Sequence, residues 1–393
     1  MIEKQNNILA SSFFWACILF VITLLLSLQN LLLDPKTFYP GGAEYTHYNN
    51  YLIFKQSFFH LVENKDLYHD YPAEHWDYYK YSPTFSLFMA PFAVLPDAAG
   101  LLAWNLLNVL VLFYALWKLP AQTGKARLFI LGFILIELLS SIHNSQSNAL
   151  LAGLILFAFI ALEKKRTAIA ALLIVLTIFI KIFGLVALCI FIFYPHKLKA
   201  ILYTICWTIL FAALPLLFIS ASQLTFLYHS WLDLLKNDHS MSVGFSVGGW
   251  LYSWFGIEAK NLTVIIGAAL LLIPLLNFKY FNELKYRLWF LSSILIWMVI
   301  FNHKAEQPTF IIAVAGIAIW FFSQKFKIEN IILLALVFVF TVLSATGIFE
   351  QEFREKYIEE YVLKAVPCIL VWFKITADLL FYKPEKELKL SWT

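Results

Sequence analysis

Long apolar runs recur along nearly the whole chain, and they restrict its fold more than any other feature. Residues 11–33 form the first run, and further runs lie near 99–118, 127–142, 146–162, 167–180, 182–194, 200–220, 261–277, 287–301, 309–323, 328–348 and 362–382. A bilayer core offers no water to the backbone, so a spanning run must satisfy its own amides as a helix. We therefore predict an all-α integral membrane protein with about 12 transmembrane helices.

Composition supports the same class. Charged residues make up 14% of the 393 positions and hydrophobic residues 61%, whereas soluble domains contain about 25% charged residues. A net charge of +4, dispersed along the chain, gives no basis for a nucleic-acid partner. The four cysteines lie inside apolar runs without a CxxC motif, so we expect neither disulfides nor a zinc site. The first run lacks a cleavage pattern at its end, and we expect it to be a retained helix.

Basic and acidic residues separate along the chain. Lysine and arginine cluster at 118–127, 164–166, 197–199, 279–287, 325–327 and 383–389, whereas acidic residues concentrate in 34–96, 220–260 and 350–360. Basic short loops mark the cytoplasmic side. We predict a plasma (inner) membrane protein with both termini in the cytoplasm. It would be a single membrane domain, 1–393, with two large extracytoplasmic loops, 34–96 and 220–260.

Two features of this topology are specific enough to compare with a structure. The runs 167–180 and 182–194 must form a hairpin around Lys181, because one continuous helix would invert every later loop. Residues 83–95 are apolar, flanked by prolines and too few to span a bilayer. We predict that they form a re-entrant or interfacial segment.

The first large loop contains two candidate catalytic carboxylates. Glu44 precedes aromatic and aliphatic positions at 48, 51, 54, 58 and 61, whose helical spacing predicts an amphipathic helix on the membrane surface. A carboxylate at the start of that helix could accept a proton from a hydroxyl, or could only cap the helix. Asp66 is the second candidate, with an ion pair to Lys65 or a turn as the alternative. Asp77 is interpreted as solvated.

Cationic and polar side chains elsewhere could bind a charged, hydroxylated ligand. Lys181 stands between two apolar runs, which is unfavourable unless it faces a cavity or an anion, or reaches the interface. His303 and Lys304 lie in a polar turn that could simply be hydrated. Other side chains could contact such a ligand, or could belong to an aromatic interface belt or cap a turn. They are His47, Tyr48, Asn49, Asn50, Tyr81, Asn144 and Gln146. Glu137 and Asp378 fall inside apolar runs, and we expect each to be paired or shielded from lipid.

The order of these elements resembles glycosyltransferase family 87, whose members are polytopic enzymes of the GT-C type. In the first loop, the carboxylate Glu44 is followed directly by the aromatic residue Tyr45, and Tyr48 lies four positions after Glu44. An Asp-x-Tyr element starts at Asp66, and 81–83 reads Tyr-Ser-Pro before a short apolar segment. The likeness continues in 144–148, where the family tends to have Gly-Gln-x-Asn, and at Lys181, where it has a lysine between two short helices.

The resemblance implies a GT-C-like bundle and an inverting transfer of a hexose, most simply mannose. The donor would be a polyprenyl-phosphate sugar. The acceptor would be a lipid or glycan at the extracytoplasmic face of the membrane, and membrane lipids would surround the protein. The family base is an aspartate, and Glu44 occupies its position with one methylene more, so Asp66 is the runner-up. The resemblance also assigns the donor phosphate to His303, with Lys181 and Lys304 beside it.

No cofactor or metal is predicted, because the Asp-x-Asp pattern of divalent-metal sites does not occur in the first loop. The alternative function is a polytopic transporter or flippase of a lipid-linked glycan. Transporters often have matching halves and ionisable residues near the middle of the bilayer. The halves of this chain do not match and its polar residues gather on one face, which favours an enzyme.

Overall fold

The computed structural model describes residues 11–38, 41–239 and 244–384. Within these ranges, five helices are long and apolar enough to cross a membrane: Ser12–Leu32, Asp97–Trp117, Gly124–His143, Lys197–Leu217 and Ile328–Ala345. Shorter apolar helices accompany them. The prediction of a mostly helical membrane protein is confirmed, and the number of about 12 spans stays a prediction. The chain ends that the prediction assigns to the cytoplasm lie outside the described residues.

The α-helices are numbered in chain order. They are α1 Ser12–Leu32, α2 Asn49–Val62, α3 Pro83–Phe88, α4 Ala90–Ala93, α5 Asp97–Trp117, α6 Gly124–His143, α7 Asn148–Glu163, α8 Thr167–Ile180, α9 Lys197–Ala213, α10 Ala221–His239, α11 Val247–Phe255, α12 Lys260–Leu272, α13 Leu284–Ile300, α14 Phe310–Phe322, α15 Ile328–Leu336, α16 Gln351–Phe353 and α17 Val366–Leu380. The 3₁₀ helices are Ile182–Phe193, Leu214–Leu217, Ile273–Leu276, Phe278–Tyr280, Gln307–Thr309 and Leu343–Ala345, and π-helical turns cover Val337–Val342 and Arg354–Glu359.

The centre of the bundle is formed by α5, α7, α13 and α14. All 13 residues of α14 are buried, because its sequence is apolar on every side. Glycines allow close helix contacts here. A methyl group on Gly316 would lie 2.8 Å from the carbonyl oxygen of Ser292, and one on Gly153 would lie 2.7 Å from the amide nitrogen of Leu112. Small residues at such crossings are typical of packing between membrane helices.

Other helices expose their apolar side chains. In α9 only Ala200 and Phe211 are buried, while Leu198, Ile201 and Ile209 are more than half exposed. Exposed aliphatic side chains on helices of this kind are stable against lipid hydrocarbon. These helices therefore form the outer, lipid-facing layer of the bundle.

The hairpin around Lys181 is present. α8 and the 3₁₀ helix Ile182–Phe193 pack side by side, and a methyl group on Gly184 would lie 2.4 Å from Thr177 Oγ1. Tyr194, just after the 3₁₀ helix, donates a hydrogen bond from its hydroxyl to Glu163, just before α8. The two helices thus return to the same end of the bundle, and one continuous helix is excluded.

The turns predicted to share the extracytoplasmic face lie together at the other end. Asn50 Nδ2 donates to the carbonyl of Asn144 (2.9 Å), and Asn148 Nδ2 donates to the carbonyl of Pro308 (3.0 Å). The second large loop meets the acidic segment through Ser253, whose hydroxyl bonds to the carbonyl of Glu360. These contacts assemble one polar end of the molecule.

The first loop differs in part from the prediction. The helix predicted from the aromatic spacing is α2, and its apolar face packs inward, where the Tyr51 hydroxyl donates to the carbonyl of Phe92 (3.0 Å). Residues 83–95 form α3 and α4, and Ser82 caps α3. Glu44 was expected at the start of the helix, but α2 begins at Asn49. Glu44 instead belongs to a two-stranded hairpin, β1 Lys36–Thr37 and β2 Glu44–Tyr45, where it pairs with Thr37.

The two acids predicted to be paired or shielded from lipid, Glu137 and Asp378, are both paired. Glu137 of α6 meets Lys364, with 2.5 Å between Oε1 and Nζ, and both side chains are fully buried. Asp378 of α17 pairs with Lys374 one turn earlier. A charge in a hydrocarbon environment is tolerated when a partner of opposite sign accompanies it. Neither pair lines the cavities described below.

Candidate active site

A cavity of about 160 Å³ lies at the polar end of the bundle, between α2, α10, the α8 hairpin and the turn before α14. We call it the central cavity. Five of its lining residues carry charge: the lysines Lys80, Lys181 and Lys304, and the acids Asp77 and Glu306. Its wall therefore carries more positive than negative charge. Such a site can bind an anionic group.

Lys181 is partly buried at the break between two apolar helices. It adopts an extended conformation between α8 and the 3₁₀ helix, so it interrupts the helical hydrogen bonding at that point. Its ammonium donates to Asn148 Oδ1 at 2.8 Å and lies 5.7 Å from the centre of the Tyr81 ring. Burial lowers the pKa of Lys181 from 10.5 to about 8, although nearby Glu306 raises it. An anion in the cavity would favour the protonated form.

A chain of amides connects Lys181 to Glu306. Asn148 donates to Gln146 Oε1 (2.8 Å), and Gln146 Nε2 donates to Glu306 Oε2 (3.2 Å). The backbone of Glu306 is fixed by a capping box with Thr309. Asn148 is fully buried at the start of α7, so one end of this chain is rigid. The cation and the carboxylate are thereby held on opposite sides of the same amide network.

The remaining charged pair comes from the first loop. Lys80 Nζ is 2.9 Å from Asp77 Oδ2, and Asp77 Oδ1 accepts from the Tyr78 amide at 2.8 Å. Asp77 has a left-handed backbone (φ 74°), which turns the chain and directs 77–81 along the cavity. The Tyr81 ring beside it stacks on Phe85 at 4.8 Å and meets Phe54 edge-on at 4.9 Å. Burial raises the pKa of Tyr81, so its hydroxyl stays neutral.

Helix α10 closes one side of the cavity, to which it contributes Trp231 and Leu235. Trp231 Nε1 donates to the carbonyl of Lys80 (3.2 Å), and Ser230 Oγ bonds to both carboxylate oxygens of Asp66 (3.0 Å each). Nearer its start, Gln223 Nε2 donates to the carbonyl of Asn64 (3.0 Å). The helix is thus attached along one edge to the segment 64–80.

A larger, open groove adjoins the central cavity. Its volume is about 920 Å³, and it shares Lys80, Lys304 and Glu306 with the central cavity. Its other walls come from α11 and from 359–362, where Tyr252 and Tyr361 supply aromatic rings. The two spaces therefore meet at three charged side chains.

Comparison with known proteins identifies the chain. The family model for glycosyltransferase family 87 matches residues 79–343, which is more than half of the sequence. The chain belongs to glycosyltransferase family 87. Among solved structures, the crystal structure of ArnT from Cupriavidus metallidurans bound to undecaprenyl phosphate is similar, with a TM-score of 0.39 and 13% identity. The similarity covers 94% of this chain and 77% of that chain. No curated protein matches the sequence.

Five of the residues predicted from the sequence line the central cavity of this family 87 glycosyltransferase: Asn50, Tyr81, Gln146, Lys181 and Lys304. They come from four separate parts of the chain, so folding alone brings them together. Their predicted roles as phosphate or sugar contacts stay predictions, but their positions are consistent with those roles.

The two predicted catalytic carboxylates of the family 87 enzyme lie elsewhere. Glu44 is exposed on the β-hairpin and lines neither the central cavity nor the groove. Asp66 accepts from the Tyr68 amide (3.1 Å) as well as from Ser230, so its oxygens stabilise a turn and hold α10. Of the two alternatives to a catalytic role, the turn is the arrangement found for Asp66, and the ion pair with Lys65 is not, because Lys65 meets Glu63 at 2.7 Å.

The other predicted contacts surround the cavity without lining it. Asn49 exchanges two hydrogen bonds of 2.8 Å with the backbone of Trp76, and Asn144 caps α6 by donating to the carbonyl of Ser140. His47 lies edge-on to His143, and burial together with Lys36 lowers the pKa of His47. Further residues that line neither space are Tyr48 and His303.

Sequence reasoning missed the two carboxylates that line the cavity. Asp77 is 43% exposed, in agreement with the interpretation that it is solvated, but the sequence gives no sign that it lines the cavity. Glu306 lies two residues after Lys304 and has no predicted role. The available signal was the turn 302–308 itself, in which an acid accompanies the two predicted cations. Among the described residues, no three His, Cys, Asp or Glu side chains group as a metal site.

Proposed function

We propose that this chain is an inverting GT-C-type enzyme that moves a hexose from a polyprenyl-phosphate donor to a lipid or glycan acceptor at the extracytoplasmic face. The family resemblance makes mannose the first sugar to test. The observation that carries the proposal is the convergence of three lysines, with Lys181 among them, on one small cavity beside a large groove. That arrangement suits a reaction whose leaving group is an anionic phosphate.

The lysines supply the charge stabilisation that the reaction needs. When the sugar leaves, a negative charge develops on the phosphate oxygen, and positioned cations in a partly dehydrated site stabilise it strongly. Lys181 is held by Asn148 at 2.8 Å, so its ammonium is oriented before the donor binds. Lys304 lines the same cavity. His303, in the same turn, remains a proposed phosphate contact from the resemblance.

Glu306 is the carboxylate best placed to act as the general base. Of the described carboxylates lining the central cavity, it is the one that also borders the groove, whereas Asp77 lines the cavity alone and is bound by Lys80. Glu306 would take the proton of an acceptor hydroxyl, whose oxygen forms a bond to the anomeric carbon. The bond from that carbon to the phosphate oxygen breaks on the opposite face, and polyprenyl phosphate leaves with the electron pair.

The sizes of the two spaces fit a small transferred group and a larger acceptor. Small-molecule pockets usually enclose about 300–1,000 Å³. The central cavity, at about 160 Å³, is below that range, and the groove, at about 920 Å³, is near its upper end. Tyr252 and Tyr361 in the groove offer rings against which a sugar can stack.

The test uses purified full-length protein with radiolabelled polyprenyl-phosphate mannose or glucose and a membrane lipid extract as the acceptor source. Lys181→Gln should reduce turnover by about 100- to 1,000-fold, the usual effect of removing one group that stabilises developing negative charge. Lys118→Gln, an exposed lysine at the other end of the bundle, should leave turnover unchanged. Wild-type turnover by the Lys181 variant would refute the proposed phosphate site.

A second comparison assigns the base. Under the proposal, Glu306→Gln abolishes transfer, whereas Asp77→Asn and Glu44→Gln retain most of it. If Glu44→Gln is the inactive variant instead, the assignment from family resemblance is right and that from cavity geometry is wrong. Inactivity of Asp77→Asn alone would place the base on the first loop.

A further inference from the structure

A second cavity, lined by several basic side chains, lies at the opposite end of α8 from Lys181. It has a volume of about 850 Å³ and is bordered by the end of α7 and the starts of α8, α9 and α13. We call it the basic cavity. Its charged and ionisable side chains include Lys165, Arg166, His196, Lys199 and Arg287. α8 has 14 residues, so the basic and central cavities are separated by about 20 Å of helix.

The basic cavity carries uncompensated positive charge. Among the described residues that line it, Glu163 is the only acid, and that carboxylate is already engaged by Arg287. Arg287 Nε is 2.7 Å from Glu163 Oε1, and a terminal guanidinium nitrogen is 2.8 Å from Oε2. The Tyr194 hydroxyl bonds to the same carboxylate. Lys165, Arg166 and Lys199 therefore have no acid within the cavity wall to neutralise them.

Two helices also begin at this cavity. Arg166 and His196 occupy the N-cap positions of α8 and α9, and neither side chain accepts a hydrogen bond from its helix. The first amides of a helix have no acceptor within it, and the helix dipole makes that end positive. Residues 167–169, the first turn of α8, line the cavity directly. Backbone donors and cationic side chains thus converge, which is a typical environment for phosphate.

An apolar surface continues from the cavity along α9. Leu198, Ile201 and Leu202 are more than half exposed, and Tyr203 forms part of the cavity wall. A ligand with a phosphate and acyl chains would place its charge in the cavity and its chains along this surface. We propose that the basic cavity binds the phosphate headgroup of an anionic membrane lipid, and that Lys165, Arg166 and Lys199 provide the charge that selects it.

Protection of lysines from chemical labelling tests the proposal on the unmodified protein. Full-length protein in detergent micelles is treated with an amine-reactive ester after addition of phosphatidylglycerol, phosphatidylcholine or inorganic phosphate, and each lysine is quantified by mass spectrometry. Phosphatidylglycerol should lower the labelling of Lys165 and Lys199 several-fold and leave the exposed Lys325 and Lys327 unchanged.

Comparison of the three additives shows whether the bound phosphate belongs to a lipid or is a free ion. Protection by phosphatidylglycerol but not by inorganic phosphate supports a lipid headgroup, and equal protection by inorganic phosphate supports the same anion site with a free ion as its occupant. Equal protection by phosphatidylcholine, or protection of all four lysines alike, overturns the proposal.

Charge-removing variants give a second measurement. The triple variant Lys165→Gln/Arg166→Gln/Lys199→Gln should bind phosphatidylglycerol on the order of 100-fold more weakly, since each basic residue near an anionic lipid contributes about fivefold. Binding is followed by the lipid-dependent rise in melting temperature, and the melting temperature without lipid verifies folding. The matched control Lys118→Gln/Lys325→Gln/Lys327→Gln should bind like the wild type. Wild-type affinity in the first variant, or an equal loss in the control, overturns the proposal.

Discussion

Removing one member of the buried ion pair between Glu137 and Lys364 should destabilise the protein strongly. The Lys364 ammonium lies 2.5 Å from Glu137 Oε1, donates to the carbonyl of Thr341 at 2.8 Å and lies 4.8 Å from the centre of the Phe310 ring. Both members of the pair are fully buried. Lys364→Met would remove the cation and leave the Glu137 carboxylate without its counter-charge in α6.

The expected loss follows from this burial. Leaving an uncompensated charge in a buried site costs about 3–5 kcal/mol. Each 1.4 kcal/mol changes the equilibrium tenfold, so the unfolded fraction should rise by at least about two orders of magnitude. Apolar replacements for both partners are often neutral or stabilising. The double variant Glu137→Met/Lys364→Met should therefore recover to within about 1 kcal/mol of the wild type.

Unfolding in mixed micelles, titrated with a denaturing detergent, measures these free energies. The pair of Lys65 and Glu63 in the first loop provides the control, because its side chains are 48% and 51% exposed. Lys65→Met should leave the unfolding free energy almost unchanged, as is usual for solvent-exposed pairs. The reasoning is refuted if Lys364→Met is as stable as the wild type, or if the double variant is no more stable than the single one.

Three further predictions concern packing, pH and sidedness. Gly153→Ala should lower the unfolding free energy by about 1–3 kcal/mol, because its methyl group would overlap the α5 backbone. Gly132→Ala should leave the unfolding free energy unchanged, because nothing lies within 4 Å of the added methyl group. Equal losses in the two variants would contradict the packing argument. Because the pKa of Lys181 is lowered to about 8, its protonated form is lost as pH rises through 8. The kcat/KM for the donor should fall there, and Lys181→Arg should remove that alkaline limb; an unchanged limb would show that another group titrates. A membrane-impermeant thiol reagent should label Lys65→Cys in intact cells and Lys165→Cys only after permeabilisation, and the reverse pattern would invert the proposed topology.

Local sequence patterns were sufficient for a mostly helical chain and for the hairpin around Lys181, but they did not predict α10 and α11 in the second large loop. The runs 167–180 and 182–194 are separated by a lysine, which cannot be left in hydrocarbon without an anion, a cavity or water. That restriction located the break correctly. The same reasoning predicted that Glu137 and Asp378 would be paired or shielded from lipid, but it could neither choose between the two nor name the partners.

The candidate site was only partly predictable, because its contacts join residues far apart in the chain. Gln146 and Glu306 are separated by 160 positions and Asp66 and Ser230 by 164. No periodicity spans such distances. Glu44 was expected at the start of a helix because the aromatic spacing begins close to it. The chain instead pairs Glu44 with Thr37 in a hairpin. Its strands have two residues each, which is too short for a recognisable alternating pattern in the sequence.

The attachment of α10 has a consequence for how variants should be interpreted. Separate hydrogen bonds from Gln223, Ser230 and Trp231 connect α10 to residues 64–80. We therefore expect the helix and this part of the first loop to move together. A substitution at one of these contacts can move α10, and with it one wall of the cavity, without changing any of the charged residues that line the cavity. Slow turnover in such a variant would therefore indicate that the cavity wall has moved. It would not be evidence about the roles of the lysines or of Glu306.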